Sequence, residues 1–291
     1  GEIKPNLYVI GDATVLSSNI IEFIANGNNK TKTDLQNIEE DLHDAREYGS
    51  IIDVSAVDFS GIYSRINEIK EHFYDDIFGQ EKQKIVLKKV LPVIKMANVM
   101  ADKYDIVVTN PPYAGHRNLN KKIFDFLYKK YPEAKMDLFP AFIIKNIKMC
   151  KSNGFVGMMT PFVWLYLSTY SALRKKLLDT ISITNYMQPE ESSFQDAAVS
   201  ICAFVFQKGR LNYNGNYIRL SKYKDASIQN KLVADAKINR QVPYLYNICM
   251  DEFEVFPNNR FIYWLGERAT VCFRSRTVLD DVCSPRTGML T

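Results

Sequence analysis

Apolar and polar positions divide the chain into short buried strands and amphipathic helices. Leu7–Ile10 is an apolar run closed by Gly11-Asp12, which predicts a buried strand followed by a loop. Asn26–Thr33 is polar and predicts a loop. Leu35, Ile38, Leu42 and Ala45 then fall at helical spacing. Phe59–Phe73 and Glu81–Met100 read as two more amphipathic helices, and Pro92 should kink or interrupt the second. Tyr104–Thr109 is a β-branched strand. Beyond it come helices at Lys122–Lys130 and Asp137–Met149, a strand at Gly154–Thr160, a helix at Leu167–Leu178 and a strand at Ile181–Met187. Gln188–Asp196 is a polar loop with one aromatic, Phe194, and Ala198–Phe206 is a last buried strand. Strands alternating with helices imply an α/β sheet. After Gly209 the pattern weakens to a strand pair, a helix and an extended exit.

Composition narrows the class. The chain has 291 residues, 46% hydrophobic and 24% charged, which excludes a disordered or fibrous chain and suits one or two domains. Its net charge of +4 is too mild to mark a nucleic-acid binder by itself. The five cysteines (150, 202, 249, 272, 283) form no C-x-x-C pair and fit neither a disulfide framework nor a zinc site. A reduced, cytoplasmic protein without a metal is expected. No basic, apolar and small-residue leader opens the chain. The longest uncharged run, Ser152–Leu173, contains Pro161 and changes period halfway, so it predicts a strand running into a helix rather than a membrane span. His43, His72 and His116 have no partners at ligand spacing and read as surface or loop residues.

Chemistry concentrates where the Tyr104–Thr109 strand runs into Asn110-Pro111-Pro112-Tyr113. The carboxyl end of a strand is where open α/β sheets place ligands. An exocyclic amino nitrogen on a nucleobase is a poor nucleophile, because its lone pair is delocalised into the ring. Two acceptors on its N–H groups would favour a tetrahedral nitrogen and disperse the developing positive charge. Asn110 can offer a side-chain oxygen, and Pro111 offers a carbonyl with no competing N–H. Consecutive prolines, Pro111 and Pro112, stiffen the loop. Tyr113 gives a flat face on which a base can stack, worth about 1–3 kcal/mol.

Asn110–Tyr113 resembles the N-P-P-[YFW] motif of amino-methyltransferases that use S-adenosylmethionine, above all the N6-adenine DNA methyltransferases. Tyr104–Gly115, Leu138–Phe142, Gly154–Pro161 and Ser284–Thr291 further resemble the adenine-specific methyltransferases of BREX phage-defence systems and related large type II restriction–modification enzymes. The resemblance implies a Rossmann-like S-adenosylmethionine-dependent methyltransferase sheet with an antiparallel last strand. It implies methyl transfer to adenine N6 in double-stranded DNA, with other defence-system proteins as partners. It also gives roles to residues. Asp12, beside Ala13, matches the strand-end acid that accepts from the cofactor's adenine amino group, and Asn110 also faces the cofactor. Phe194 matches the aromatic that sandwiches the flipped base against Tyr113.

The family's glycine-rich loop, D-P-A-C-G-S-G, is absent from this sequence. The expectation is therefore an N-terminally truncated catalytic domain over 1–208, with a helical insertion at about 30–100. Residues 209–291 would be an extension toward a target-recognition domain. The segment by itself is expected to be inactive, and the Leu7–Ile10 strand should lack its usual neighbours, leaving the sheet edge there exposed or otherwise covered. Two alternatives stay open on the same motif: a protein-glutamine or RNA amino-methyltransferase, and a non-catalytic DNA-binding or scaffolding segment.

Charge is uneven along the chain. Residues 34–58 hold eight carboxylates against Arg46 and read as a solvated helix face. Residues 116–151 carry nine basic side chains against three acidic, and 208–240 carry eight against two. A basic strip beside the motif, beginning with Arg117, Lys121 and Lys122, suits a phosphate backbone.

Overall fold

The computed structural model describes residues 5–115, 118–190 and 200–274. His116, Arg117, Phe194 and Ser284–Thr291 lie outside the described residues, and so do the expectations placed on them. The chain forms two compact units, one of Gly1–Val107 with Ala114–Lys151, the other of Val108–Tyr113 with Ser152–Thr291.

The first unit is helical, with α1 (Ser18–Ala25), α2 (Asn29–Asp41), α3 (Ala45–Tyr48), α4 (Phe59–Glu71), α5 (Ile77–Ile85), α6 (Leu91–Ala101), α7 (Lys121–Lys130) and α8 (Leu138–Met149). Asn28, Asp58, Asp76, Asn120 and Asp137 each cap a helix by accepting from a backbone N–H two or three residues on. Leu35, Ile38, Leu42 and Ala45 are all buried in one core with Ile62, Ile66, Val90, Ile94 and Ala97. Their helical spacing was legible, but they do not share one helix. The chain turns after Asp41, and Gly49, at φ 63°, ends α3 in a conformation that side-chain-bearing residues rarely adopt. The expected loop is also shorter, because Asn28 starts α2 at Asn29. Pro92 does interrupt its helix. A π-helical turn, Val86–Val90, lies immediately before α6, where the proline lacks an N–H and crowds the carbonyl four residues back.

Part of the acidic stretch is structural rather than a solvated face. Asp41 accepts from the Ser55 N–H at 2.6 Å, and Asp34 accepts from the Asp58 N–H at 3.2 Å. Asp53 holds α8: Lys145 donates to the Ile52 carbonyl at 2.5 Å and to Asp53 at 3.1 Å, and Lys148 meets the other Asp53 oxygen at 2.5 Å. Lys145 is only 3% exposed. Burial pushes the Lys145 pKa down. Burial works to raise that of Asp53, but Lys148 and Lys145 hold it below the usual carboxylate range. A depressed acid adds stability above its unfolded pKa of about 3.9 and loses it as pH falls through the native value. Asp53→Asn should remove that contribution at neutral pH. With Asp53 42% exposed, about 1–3 kcal/mol is expected rather than the full cost of a buried orphan. Faster proteolytic cutting within Ile52–Val57 would report it.

Leu7–Ile10 is not a strand, contrary to the sequence reading. Leu7 and Val9 are 86% and 91% exposed. A β-strand needs ladder partners for its backbone, and among the described residues none pairs with this segment.

Six strands form one sheet: β1 (Tyr104–Thr109), β2 (Cys150–Pro161), β3 (Ile181–Gln188), β4 (Ile201–Lys208), β5 (Asn214–Arg219) and β6 (Leu245–Cys249), ordered β1-β2-β4-β3-β5-β6. β4 is antiparallel to both β2 and β3, as expected for the last strand of this class. β5 runs parallel to β3 and pairs antiparallel with β6. Gly215 permits the close approach of β5 to β3, since a Cβ there would meet the Ile183 carbonyl at 2.2 Å. β1 is an edge strand with Ile106 and Val108 65% and 76% exposed; the open edge expected at Leu7–Ile10 does not arise, because that segment is not a strand.

In the second unit, Val156, Met158, Cys202, Phe204 and Phe206 bury one face of the sheet. Trp164 packs edge-on against Phe204, Phe206 and Phe261. The helices here are α9 (Ser171–Thr180), α10 (Ala226–Ile238) and α11 (Glu267–Arg274). Among the described residues no helix is long and apolar enough to cross a membrane, and no cluster could hold a metal.

Candidate active site

β1 delivers its carboxyl end to Asn110, and the two prolines stop the ladder there. Pro111 and Pro112 have no N–H to donate, and each disfavours helical backbone in the residue before it. Asn110 is exposed, Pro111 buried, Pro112 exposed and Tyr113 half-buried. The motif therefore presents its carboxamide to solvent while Pro111 anchors the corner.

Tyr113 closes the corner. Its hydroxyl lies 3.0 Å from Asn110 Oδ1 and 3.2 Å from the Met159 carbonyl of β2. A phenol has one proton and two acceptors face it, so it donates to one at a time. Either way the hydroxyl restrains the Asn110 amide, and a carbonyl oxygen keeps a second lone pair for another donor. Burial raises the Tyr113 pKa, with the Cys202 thiol nearby acting in the same direction, so the phenol stays neutral.

Beneath Met159 lies a layer that sequence reasoning missed. Thr160 is fully buried, accepts from Trp164 Nε1 at 3.2 Å and lies 3.7 Å from Cys202 Sγ. Cys202 faces Thr160 across the β2–β4 register. Burial pushes its thiol up to about 11, so it is a packing group rather than a nucleophile. No sequence signal announces this layer, because it depends on antiparallel register.

In the helical unit, Asp12 Oδ1 accepts from the Arg46 N–H at 2.8 Å, and Oδ2 lies 3.5 Å from Arg46 Nε. Ala13 is fully buried, with its N–H on the Leu42 carbonyl. Asp12 opens onto a cavity of about 480 Å3 walled by Val15, Pro92, Val93 and Met96. Arg46, Lys89 and Thr14 also line it, so the cavity is as polar as it is apolar, and the Asp12 carboxylate keeps lone pairs for a further donor. Lys122 pairs with Asp44 at 3.4 Å, whereas Lys121 is exposed.

The profile of the Eco57I restriction-modification methylase family matches residues 16–194. The chain belongs to that family. It is 30% identical over 204 residues to the adenine-specific methyltransferase PglX of Lacticaseibacillus casei (strain Zhang), covering 68% of this chain and 17% of that protein. It is 28% identical over 233 residues to the adenine-specific methyltransferase BrxX of Escherichia coli O9:H4 (strain HS), covering 79% of this chain and 18% of that protein. A solved type I restriction-modification methyltransferase subunit from Streptococcus thermophilus aligns at TM-score 0.44 and 17% identity, over 60% of this chain and 46% of that one.

Proposed function

We propose that the full-length protein methylates adenine N6 in double-stranded DNA, as part of phage defence or restriction–modification. The observation that carries this is the Asn110–Tyr113 corner in a chain of the Eco57I family: an exposed amide oxygen, restrained by a tyrosine whose ring can stack a base. The relatives named above are adenine-specific methyltransferases, which supports the same substrate atom.

The target adenine leaves the duplex and stacks on Tyr113, with Phe194 as its second face by resemblance. Asn110 Oδ1 and the Pro111 carbonyl each accept one N6–H. That withdraws the nitrogen lone pair from ring conjugation and stabilises the positive charge that builds there. S-adenosylmethionine, when bound, supplies the electrophilic methyl group, and Asp12 would hold its adenine end. Arg117, Lys121 and Lys122 would contact the DNA backbone.

Incubation of the full-length protein with DNA and tritiated S-adenosylmethionine, followed by nucleoside mass spectrometry, tests this. N6-methyl-2′-deoxyadenosine should carry the label; label in protein glutamine or RNA instead would overturn it.

The two functions of Tyr113 can be separated. Tyr113→Phe keeps the ring and loses the hydroxyl that restrains Asn110, so the methylation rate should fall about tenfold with unchanged DNA affinity, the cost of about one hydrogen bond. Tyr113→Ala also loses stacking and should weaken retention of the flipped base by a further tenfold to hundredfold, roughly. Single-turnover rates with 2-aminopurine fluorescence at the target position separate the two effects.

A further inference from the structure

Arg219 closes β5 and makes no side-chain hydrogen bond or ion pair among the described residues. Its guanidinium carbon lies over Trp264, 4.0 Å from the ring centroid, and its Nε is buried without a partner. A buried donor without an acceptor is rare in folded proteins. An arginine held on an aromatic face has its planar fork already oriented for a bidentate anion. Lys222 and Lys224 follow in the loop that leaves β5, both exposed and unpaired among the described residues. Asp225, which follows Lys224, is occupied in capping α10 through the N–H and hydroxyl of Ser227.

The topology places this group on the edge of the sheet that carries the Asn110–Tyr113 corner. Val108 sits beside Gly157, and Tyr113 reaches Met159, so the chain leaves β1 at the end where β2 finishes. The β2–β4 and β4–β3 registers bring Ile201 opposite Pro161 and the end of β3 to the same side. The parallel β3–β5 register sets Arg219 beside Gln188. Four strand spacings separate β1 from β5, roughly 19 Å. Along the duplex axis that is about half a helical turn.

We infer that Arg219, Lys222 and Lys224 grip the phosphate backbone of DNA about half a turn from the flipped adenine. This rests on the DNA reading above, but the surface is distinct from the α7 lysines, where Lys122 is paired with Asp44 and Lys129 and Lys130 share a cavity with Glu40, Asp41 and Asp125.

The test uses the full-length protein and a fluorescein-labelled duplex of mixed sequence, with anisotropy recorded across a salt series. The triple variant Arg219→Gln, Lys222→Gln, Lys224→Gln should lower the slope of log K against log salt by roughly 2–3, about one per lost phosphate contact. Lys129→Gln with Lys130→Gln, which also removes positive charge, should leave it nearly unchanged. In the unaltered protein, DNA should protect Lys222 and Lys224 from acetylation more than Lys129 and Lys130, a readout independent of any variant's folding. A wild-type slope in the triple variant, or protection confined to the α7 lysines, overturns this surface and leaves the DNA reading standing. Failure of the unaltered protein to bind the duplex at any salt overturns both.

Discussion

Asn110→Ala in the full-length protein is expected to cut the rate of adenine modification by at least 10²–10³-fold, on the order of 3–4 kcal/mol, while leaving DNA affinity almost unchanged. The size follows from where the oxygen acts. It meets an N–H whose charge grows only as the methyl group transfers, so its contribution appears in the transition state and hardly at all in binding. Loss of fold cannot mimic the effect. Asn110 is exposed, and the hydroxyl it contacts keeps the Met159 carbonyl as an acceptor. Stability should stay within about 0.5 kcal/mol of the parent. Asn110→Asp separates acceptor from donor. The carboxylate keeps the accepting oxygens and loses the N–H, so it should retain more activity than the alanine variant. Single-turnover methylation measures both, with anisotropy for DNA binding. An alanine variant that methylates at the parent rate would remove the mechanism; an aspartate variant as inactive as alanine would shift the role from the oxygen to the amide N–H.

The Asn110–Tyr113 corner was legible because prolines act locally. Pro111 and Pro112 fix backbone geometry wherever they fall, and the β-branched run before them fixes the strand that delivers them. Pro92 was legible for the same reason as a break within Glu81–Met100, but the π-helical turn before it was not. Leu7–Ile10 misled because a strand is a property of its neighbours, and without ladder partners this apolar run leaves Leu7 and Val9 exposed while Ile10 packs on the helical core. The acidic stretch misled differently. Counting carboxylates between 34 and 58 reveals their charge but not which of them meet backbone N–H groups, and Asp34, Asp41 and Asp53 do structural work that only tertiary contacts define. The layer of Thr160, Cys202 and Trp164 was invisible for a third reason. Its members lie on two strands and a turn, and only the pairing of Thr160 with Cys202 brings them together.

Arg174→Ala should open the segment that follows β2, at a cost of roughly 3–5 kcal/mol. Arg174 is fully buried in α9 with no carboxylate partner in its hydrogen bonds. Its guanidinium instead donates to three backbone carbonyls: Trp164 at 2.7 Å, Leu167 at 2.8 Å, and Asn258 at 3.0 and 3.1 Å. Asn258 stands at φ 59°, a left-handed conformation that asparagine tolerates better than most residues. Truncation would strand the buried Trp164 carbonyl and unpin the turn at Asn258, while the Leu167 carbonyl keeps the Tyr170 N–H. Arg174→Lys should recover only part of the loss, because an ammonium cannot span the fork that three separated carbonyls require. Arg210 provides the contrast. It pairs with Asp251 and Glu254 at the surface, both at 2.7 Å, and Arg210→Ala should cost under about 1 kcal/mol. Hydrogen exchange in the full-length protein reads the difference directly: peptides across Phe162–Thr180 should lose protection by about 10²–10³-fold in Arg174→Ala and little in Arg210→Ala. Activity should fall with the first variant even where the protein stays folded. The opened turn carries Trp164, whose indole holds Thr160, next to the carbonyl on which the Tyr113 hydroxyl rests. Unchanged protection in Arg174→Ala would mean that the carbonyls find other donors, and the route from this buried arginine to the Asn110–Tyr113 corner would have to be abandoned.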